Sequence, residues 1–584
     1  MSDAVTNLQI LPPVSTGKRA PGLRLALLAG ILLCLAHPVP SIWPLAWIAI
    51  APLILSVTEA RSLRQAMWRG YLFGWLFLGA VWYWVAVTIN AWTHNDIGWL
   101  CWGGLTLILA GFYGLWGGAA WLIHQKLRRI AHTGGIEIFV LACSWVVMEF
   151  MRTLGTLTMP WAQLSYSQYK ILPVLQIAEI TGAYGVSFVM MLVNGAVAYW
   201  WRHREEAVSL HYLKMAGAVT ALVCLYGGVR LVQTETGRPL PVATMQAGFN
   251  SLQSHFNMSP PPSLEAQRAT FMELTAQARR SPLKPVLYVW PESAAPGDAL
   301  HKEKYDISHA SVYDFLMDLA RDNHIALITG STLEEKLKDI PDQSNQNQTD
   351  QTNTGNSKPN YFGSEGEQKV AENASVLFDA EGHRPQYYVK RQLVPFGEFI
   401  PFRDIIPQVI FKSFGFPDRD DVTGKTAAVL SFNDAKYGRV ELGPFICYEA
   451  MFPQYAREMT QKGATLLVTQ SNDSWFQSRA AMEQHLASVV LRSIENRRQI
   501  VRSTTTGLTC FIDDRGHIYD ALPINKPGFS VREMQMLTGW SLYSRFGDWF
   551  VLACCVAGLG LMWKYDRIKN DRIKTAASEQ EKED

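Results

Sequence analysis

Long apolar runs separated by short polar loops occupy the first 232 residues, and one more apolar run lies near the C-terminus. A run of roughly 17 to 25 apolar residues is long enough to cross a membrane as a helix. The pattern predicts a polytopic helical membrane domain over residues 23–232, a last span at 549–563, and tails at 1–22 and 564–584. The predicted spans, about eight in number, are Leu23–Leu35, Ile42–Val57, Tyr71–Ile89, Gly98–Ile123, Ile136–Phe150, Ala183–Trp201, Leu213–Val232 and Trp549–Trp563.

Positive charge is distributed unevenly between the loops of this membrane domain. Lys and Arg concentrate in alternate loops and in the tail from Lys564, whereas the short loops around Pro38 and over 90–96 contain neither. Because cytoplasmic loops are the ones rich in Lys and Arg, both termini are expected to be cytoplasmic and the large polar region to face outward. The net charge of +2 is small and no basic stripe is present, so a nucleic-acid partner is not expected.

The region between the seventh and last predicted spans has the pattern of a soluble α/β domain, expected over residues 240–530. Its strand candidates are Val242–Gln246, Val286–Trp290, Ile325–Thr329, Ser375–Asp379, Tyr387–Val389, Leu442–Ile446, Thr465–Thr469, Ile500–Ser503 and Leu508–Asp513. Its helical stretches are Leu264–Arg280, Ser311–Asn323, Ala450–Lys462 and Ala480–Arg498. Residues 341–368 are mostly Gln, Asn, Ser, Thr and Gly, a composition typical of a disordered surface insertion.

Three reactive side chains follow strand-like runs in this domain. Glu292 and Lys390 each end a short apolar strand, and Cys447 lies between a strand-like run and a helical stretch. Strand ends meet at the crevice where α/β sheets place their sites, so the three side chains are expected to converge. At such a corner, backbone N–H groups and a helix N-terminus lower a thiol pKa from about 8.5, which predicts a nucleophilic Cys447. Taken singly, a loop Glu or Lys is more often solvated, and a lone Cys is more often inert core.

Cysteine and histidine usage indicates neither a disulfide framework nor a metal site. Outside the predicted spans the chain has only Cys447 and Cys510, and Cys510 lies in a probable core strand. No His and Cys residues have the spacing of a metal site, and no Gly-rich phosphate loop is present. Neither a metal nor an organic cofactor is therefore expected.

Four motifs contain the three reactive side chains and further polar and aromatic residues. They are WPES at 290–293, KRQLVPFGE at 390–398, CYE at 447–449 and SNDSWF at 471–476. With Glu, Lys and Cys in this chain order, the motifs resemble those of the nitrilase, or carbon–nitrogen hydrolase, superfamily. Together with the membrane spans they resemble the bacterial apolipoprotein N-acyltransferase family. The resemblance implies an αββα sandwich of the nitrilase type inserted before the last span.

The resemblance also implies roles for individual side chains. Glu292 would be the general base, Lys390 would stabilise the oxyanion, and Cys447 would carry the acyl group as a thioester. Further side chains match positions that support the family's site, namely Glu398, Tyr448, Glu449 and Trp475.

The implied reaction is a ping-pong acyl transfer at a membrane. A phospholipid would donate the fatty acyl chain, and the N-terminal amine of the diacylglyceryl-cysteine of an apolipoprotein would accept it. The enzyme is expected to be a monomer in the bacterial inner membrane, with its catalytic domain in the periplasm. The alternative is a membrane-tethered nitrilase-type amidase or hydrolase with water as the acceptor. A transporter fits less well, because the spans contain few ionisable residues.

Two departures from the family pattern and one apolar segment bear on the substrate. The family commonly has a Trp shortly after the first strand of the soluble domain, whereas the segment 246–256, which includes His255, has none. Gln477 follows Trp475 and Phe476 where the family usually has Gly. Residues 399–416 are rich in large apolar side chains, which indicates either a helix docked on the sandwich or a lid in the lipid interface.

Overall fold

The computed structural model describes residues 22–93, 95–128, 133–155, 158–233, 236–249, 264–295, 297–300, 312–336, 369–403, 405 and 420–583. Four predictions fall outside these residues in whole or in large part. They concern the N-terminal tail, the segment around His255, the insertion at 341–368, and the apolar segment at 399–416.

The chain up to residue 232 is helical in its described part. The helices are α1 (Gly22–Ala36), α2 (Ala51–Thr58), α3 (Leu63–Val81), α4 (Tyr83–Thr93), α5 (Ile97–Leu127), α6 (Gly134–Met151), α7 (Leu172–Leu175), α8 (Ala178–Thr181), α9 (Ala183–Arg202) and α10 (Ala207–Val232). Short 3₁₀ helices lie at Trp43–Trp47 and Leu164–Gln168.

Within the described residues, five helices are long and apolar enough to cross a membrane. They are α5, α6, α9, α10 and the helix that begins at Trp549. The pair α3 and α4, bent by 48°, would make a sixth span if the two halves cross together. The first two predicted spans correspond to the shorter apolar helices Gly22–Ala36 and Trp43–Thr58. A helical membrane domain is therefore supported, and the number of about eight spans stays a prediction.

Small residues allow α3 and α5 to approach closely. A Cβ at Gly70 would clash with the backbone of Tyr113, and a Cβ at Gly117 would crowd the carbonyl of Ala66. Lipid tails are as apolar as the side chains, so the hydrophobic effect does not drive helices together within a membrane. Such helices associate through close van der Waals contacts, which small residues permit. The contact positions α4, which follows α3 and whose Thr88 hydroxyl donates to the Phe476 carbonyl of the α/β region at 2.9 Å.

The second part of the chain contains two six-stranded sheets within the described residues. The strands are β1 (Arg238–Gln246), β2 (Leu287–Val289), β3 (Ala326–Lys336), β4 (Lys369–Phe378), β5 (Gln386–Val389), β6 (Leu430–Asp434), β7 (Gly438–Ile446), β8 (Leu466–Ser471), β9 (Ile500–Thr504), β10 (Cys510–Ile512), β11 (Ile518–Tyr519) and β12 (Gly528–Met536). The first sheet has the order β12-β1-β2-β3-β4-β5, and the second has the order β11-β10-β9-β8-β7-β6. In each sheet the central strands are parallel, namely β1-β2-β3 and β7-β8-β9.

The two sheets pack face to face and helices cover their outer faces. The helices are α11 (Leu264–Arg279) and α12 (Val312–Asn323) on the first sheet, and α13 (Pro453–Gln461) and α14 (Arg479–Asn496) on the second. Between the sheets, the Ser503 hydroxyl donates to the Met245 carbonyl at 2.8 Å, and the Gln470 amide donates to the Trp290 carbonyl at 2.6 Å. The predicted α/β sandwich, with two sheets between two layers of helices, is thus confirmed.

Helix α14 connects the sandwich to the membrane helices and is buried along almost its whole length. The Gln484 side chain donates to the Pro38 carbonyl at 2.8 Å, and the Glu495 carboxylate accepts from the backbone N–H of Ala183 at 2.9 Å. A buried polar side chain is tolerated when it is hydrogen-bonded, as Gln484 and Glu495 are to the membrane helices. After β12 the chain continues through α15 (Leu542–Phe546) into α16 (Trp549–Glu583).

Candidate active site

Lys390 lies between two carboxylates at the end of β5. Its ammonium Nζ is 3.3 Å from Glu292 Oε1 and 2.5 Å from Glu398 Oε1, and the side chain is almost completely buried. Burial alone would lower the pKa of Lys390, but the charges of Glu292 and Glu398 outweigh burial and hold that pKa well above its usual range. Lys390 is therefore a fixed cation inside the protein.

Glu292 follows β2 and receives hydrogen bonds from both sheets. Its Oε1 accepts from the Asn373 side-chain amide at 2.7 Å, and its Oε2 accepts from the backbone N–H of Asn472 at 2.6 Å. Asn373 lies on β4 of the first sheet, and Asn472 directly follows β8 of the second. The two hydrogen bonds consequently hold the carboxylate in one orientation across the interface between the sheets.

Cys447 directly follows β7 and begins a 3₁₀ helix at Cys447–Met451. Its φ is +47°, in the left-handed region that L-residues rarely adopt, which indicates a strained corner of the kind found at functional sites. The predicted lowering of its thiol pKa is wrong. Burial raises the pKa of Cys447, and the Glu292 carboxylate raises it further, because both disfavour the thiolate more than Lys390 favours it.

Glu449 is a buried carboxylate that joins the two strand ends of the site. Its Oε1 accepts from the backbone N–H of Arg391 at 2.7 Å, and its Oε2 accepts from the backbone N–H of Ile446 at 2.6 Å. Burial raises the pKa of Glu449, although these hydrogen bonds oppose the shift. Because Arg391 follows Lys390 and Ile446 precedes Cys447, Glu449 links the backbone beside the lysine to the backbone beside the cysteine.

Tyr448 connects the site to the membrane domain. Its hydroxyl donates to the Thr158 carbonyl at 2.6 Å, and its ring stacks on Trp161 with a centroid distance of 6.3 Å. Trp161 in turn contacts Phe476 at 5.7 Å, and Phe476 contacts Trp84 of α4 at 5.4 Å. An aromatic cluster, formed by Tyr448, Trp161, Phe476 and Trp84, therefore connects the neighbour of Cys447 to the membrane helices.

Trp475 lies in a 3₁₀ helix at Asp473–Phe476 and is half-buried. Its neighbour Phe476 contacts the rings of Trp84 and Trp161, and a substrate contact by Trp475 itself stays a prediction. Gln477 has φ +46° and its side-chain amide donates to the Ser474 carbonyl at 2.7 Å. A left-handed position favours Gly, which accounts for the Gly that the family usually has there.

A second buried network, which the sequence analysis did not assign, lies beneath Cys447. His485 Nε2 donates to the Cys447 carbonyl at 2.9 Å, and His485 Nδ1 is 3.5 Å from Asp473 Oδ1. The Arg502 guanidinium donates to Asp473 Oδ2 at 2.8 Å. Burial and the charge of Arg502 lower the pKa of His485, which favours the neutral ring, and the proton is assigned to Nε2 because the Cys447 carbonyl can only accept. Asp473 lies within the SNDSWF motif and could have been found there. His485 lies on α14, and the helical pattern of that segment does not predict its hydrogen bond with the Cys447 carbonyl.

Replacing His485 by Phe removes the N–H donated to the Cys447 carbonyl. We expect a lower Tm, because an unpaired buried carbonyl costs roughly 1 to 3 kcal/mol, and a reaction at Cys447 that is about tenfold slower, because the left-handed backbone at φ +47° loses a contact that holds it. Replacing His485 by Gln keeps an N–H donor and should restore part of the rate. Single-turnover acylation measured together with thermal unfolding checks this prediction. A lower Tm with an unchanged acylation rate would contradict it.

The paired six-stranded sheets place Glu292, Lys390 and Cys447 at or near strand ends, which is the arrangement that the resemblance to the carbon–nitrogen hydrolases implies. Residues 242–539 match the family model described as Carbon-nitrogen hydrolase. Residues 29–196 match the model described as Apolipoprotein N-acyltransferase N-terminal domain.

Curated relatives match nearly the whole chain. The apolipoprotein N-acyltransferase of Geobacter metallireducens is 31% identical over 544 residues, which cover 92% of this chain and 94% of that protein. The apolipoprotein N-acyltransferase of Azotobacter vinelandii is 29% identical and covers 94% and 96%. Among solved structures, an amidase from Nesterenkonia sp. matches 55% of this chain and 97% of its own at 16% identity, with a TM-score of 0.34. The chain belongs to the apolipoprotein N-acyltransferase family, so the predicted family and the predicted enzyme class, an acyltransferase, are confirmed.

Proposed function

We propose that this protein transfers a fatty acyl chain from a phospholipid to the N-terminal amine of the diacylglyceryl-cysteine of an apolipoprotein. The observation that carries the proposal is the joint burial of Glu292, Lys390 and Cys447 next to the aromatic cluster that contacts the membrane helices. A nucleophile enclosed on the membrane side of the domain suits a lipid ester better than a small water-soluble amide.

In the first half-reaction, Glu292 takes the proton of the Cys447 thiol as the sulfur attacks an ester carbonyl of the phospholipid. The tetrahedral oxyanion is stabilised by the Lys390 ammonium, which the two carboxylates keep protonated. When the intermediate collapses, the ester oxygen accepts the proton from Glu292 and lysophospholipid leaves. The acyl chain remains on Cys447 as a thioester.

In the second half-reaction, the lipoprotein amine attacks the thioester carbonyl. An α-amino group has a pKa of about 7.7 to 8.0, so an appreciable neutral fraction is present near neutral pH. Glu292 takes a proton from the attacking nitrogen, and the thiolate that leaves regains a proton from Glu292. The products are an N-acyl amide and the free thiol, and neither a metal nor an organic cofactor takes part.

The raised pKa of Cys447 determines how the thiol is activated. A buried thiol beside a carboxylate is neutral at rest, so the proton has to move to Glu292 during the attack rather than before it. This arrangement protects the nucleophile from water-soluble electrophiles until a substrate fills the site. Four further side chains have supporting roles in this proposal. Glu398 holds Lys390 in place, and Glu449 holds the backbone beside Lys390 and Cys447. Tyr448 keeps the contact with the membrane domain, and Trp475 faces the acyl group.

We propose that the enzyme is a monomer in the bacterial inner membrane. It would have about eight spans and cytoplasmic termini, and the domain at 240–530 would lie in the periplasm. The alternation of Lys and Arg between the loops supports this orientation. So does the position of the sandwich, which lies between the end of α10 and the start of α16 and therefore on one side of the membrane.

Discharge of the acyl enzyme distinguishes this transferase from a membrane-tethered hydrolase. Phospholipid alone should give a long-lived adduct on Cys447, because the aromatic cluster and the membrane exclude water from the thioester. A diacylated lipopeptide with a free N-terminus should then discharge the adduct stoichiometrically into triacylated product. Intact-protein mass spectrometry and lipopeptide analysis measure both steps, and initial rates varied in both substrates should show ping-pong kinetics.

The matched control for this experiment is the same lipopeptide with an acetylated N-terminus, which has no nucleophilic amine. If the adduct decays to free fatty acid at one rate with either lipopeptide or with none, the acceptor is water and the transferase proposal fails.

A further inference from the structure

A cavity of about 250 Å³ lies where the membrane helices meet the catalytic domain, and it shares no lining residue with the Cys447 site. Its wall includes Glu179 of α8 and Tyr226 of α10 from the membrane domain. The wall also includes Arg497 of the catalytic domain, together with Trp540 and Arg545 from the segment that leads from β12 to α16.

Positive charge predominates around this cavity. The Glu179 carboxylate binds two guanidinium groups, those of Arg230 at 3.0 Å and Arg497 at 2.7 Å. Arg545 is exposed and lies 5.7 Å from the Trp540 ring, and no carboxylate among the described residues pairs with it. The charged residues that line the cavity are therefore two arginines, Arg497 and Arg545, and one glutamate, Glu179, which Arg230 also neutralises, so the surplus positive charge favours an anionic ligand.

The cavity lies at the level where lipid headgroups are expected. Helix α10 ends and α16 begins on the catalytic side of the membrane, and both are candidate spans. Around these two helix ends, large apolar side chains are exposed: Trp540 by 40%, Leu542 by 49%, Phe546 by 63% and Trp549 by 38%. Aromatic side chains of this kind are typical of the interface between lipid and water.

An apolar surface leads from the cavity along α10 into the membrane. Leu222, Leu225 and Val229 are spaced by three and four residues, so they share one face of the helix. They are exposed by 65%, 66% and 49%, while Tyr226 of the same helix lines the cavity. Helix α10 therefore contributes Tyr226 to the cavity wall, and its exposed apolar face provides a surface on which acyl chains could lie.

We propose that this cavity binds the phosphate headgroup of an anionic phospholipid, with its acyl chains lying along the exposed face of α10. Arg545 and Arg497 would donate to the phosphate oxygens, since a planar guanidinium matches that geometry with two parallel N–H bonds. The bound lipid is an accessory ligand and not the acyl donor, because the cavity contains no residue of the Glu292, Lys390 and Cys447 set. Lipid binding at this cavity requires that α10 and α16 lie in the membrane, and it does not depend on acyl transfer at Cys447.

The test uses the full-length enzyme in detergent, titrated with phosphatidylglycerol or phosphatidylethanolamine and observed by native mass spectrometry. The wild-type protein should retain phosphatidylglycerol in preference to phosphatidylethanolamine. Arg545→Gln should weaken retention of phosphatidylglycerol by at least about tenfold, the usual scale for one charge-assisted phosphate contact. Arg545→Lys should retain an intermediate affinity.

The control variant is Arg204→Gln, which removes the same exposed charge from the loop at the opposite end of α10. It should bind phosphatidylglycerol like the wild type, and the thermal unfolding of both variants should match the wild type because both side chains are exposed. Equal retention by Arg545→Gln, equal loss in Arg204→Gln, or displacement of the lipid by millimolar inorganic phosphate would each overturn the lipid site. None of these outcomes bears on acyl transfer at Cys447.

Discussion

Replacing Cys447 by Ala is expected to abolish acyl transfer, by at least about a millionfold, because no other group can form the thioester. The fold should persist, since the thiol is small and only one heavy atom is lost. Purified from membranes, the wild-type enzyme should show an acyl adduct by intact-protein mass spectrometry, whereas Cys447→Ala should show none.

The matched control for this variant is Cys510→Ala, which removes a second buried thiol of the same domain, on β10. It should retain both the adduct and turnover. An adduct that persists in Cys447→Ala, or that disappears in Cys510→Ala, would remove Cys447 from its proposed role.

Replacing Lys390 by Met is expected to lower kcat/KM by at least about a hundredfold, the scale for loss of a positioned oxyanion donor. It should also destabilise the fold, because breaking a buried ion pair by removal of one partner costs roughly 3 to 5 kcal/mol. Here the unpaired groups would be Glu292 and Glu398, which lie 3.3 and 2.5 Å from the ammonium. Kinetics and thermal unfolding on the same preparation measure both effects.

A double variant separates catalysis from stability at this position. Adding Glu398→Gln to Lys390→Met removes one unpaired carboxylate and should recover much of the lost Tm, while turnover stays low because the oxyanion still has no cation. Recovery of turnover together with stability would mean that Lys390 acts only by holding the fold. Glu292→Gln, which keeps the shape but not the base, should likewise cost at least about a hundredfold in kcat/KM.

The strand ends of the site could be predicted from local pattern. Glu292, Lys390 and Cys447 each follow an apolar run, and the structure places each one directly after a strand or within three residues of its end. Their convergence followed from a general property of α/β sheets, and the salt bridge between Lys390 and Glu292 agrees with it. The ionisation of Cys447 could not be predicted in this way, because the pKa of a thiol depends on how deeply it is buried and which charges lie beside it.

Weakly patterned elements could not be predicted. Strand β12, Gly528–Met536, pairs with β1 at the edge of the first sheet and is mostly half-buried, so its apolar positions do not alternate cleanly. The predicted span at Tyr71–Ile89 is two helices, α3 and α4, that meet at Trp82 with a bend of 48°. The hydropathy pattern shows how long the apolar segment is, but it does not show that the helix bends within the segment.

By itself, the sequence determined the helical membrane region, the α/β region, and the residue types that carry the chemistry, because these follow from periodicity, apolar length and local strand ends. The tertiary structure decided the partners: the two carboxylates around Lys390, the His485 contact with the Cys447 carbonyl, and the raised pKa of the thiol. Each of these depends on groups that are far apart in the chain and meet only in a buried, low-dielectric interior, where distance and desolvation set the energy.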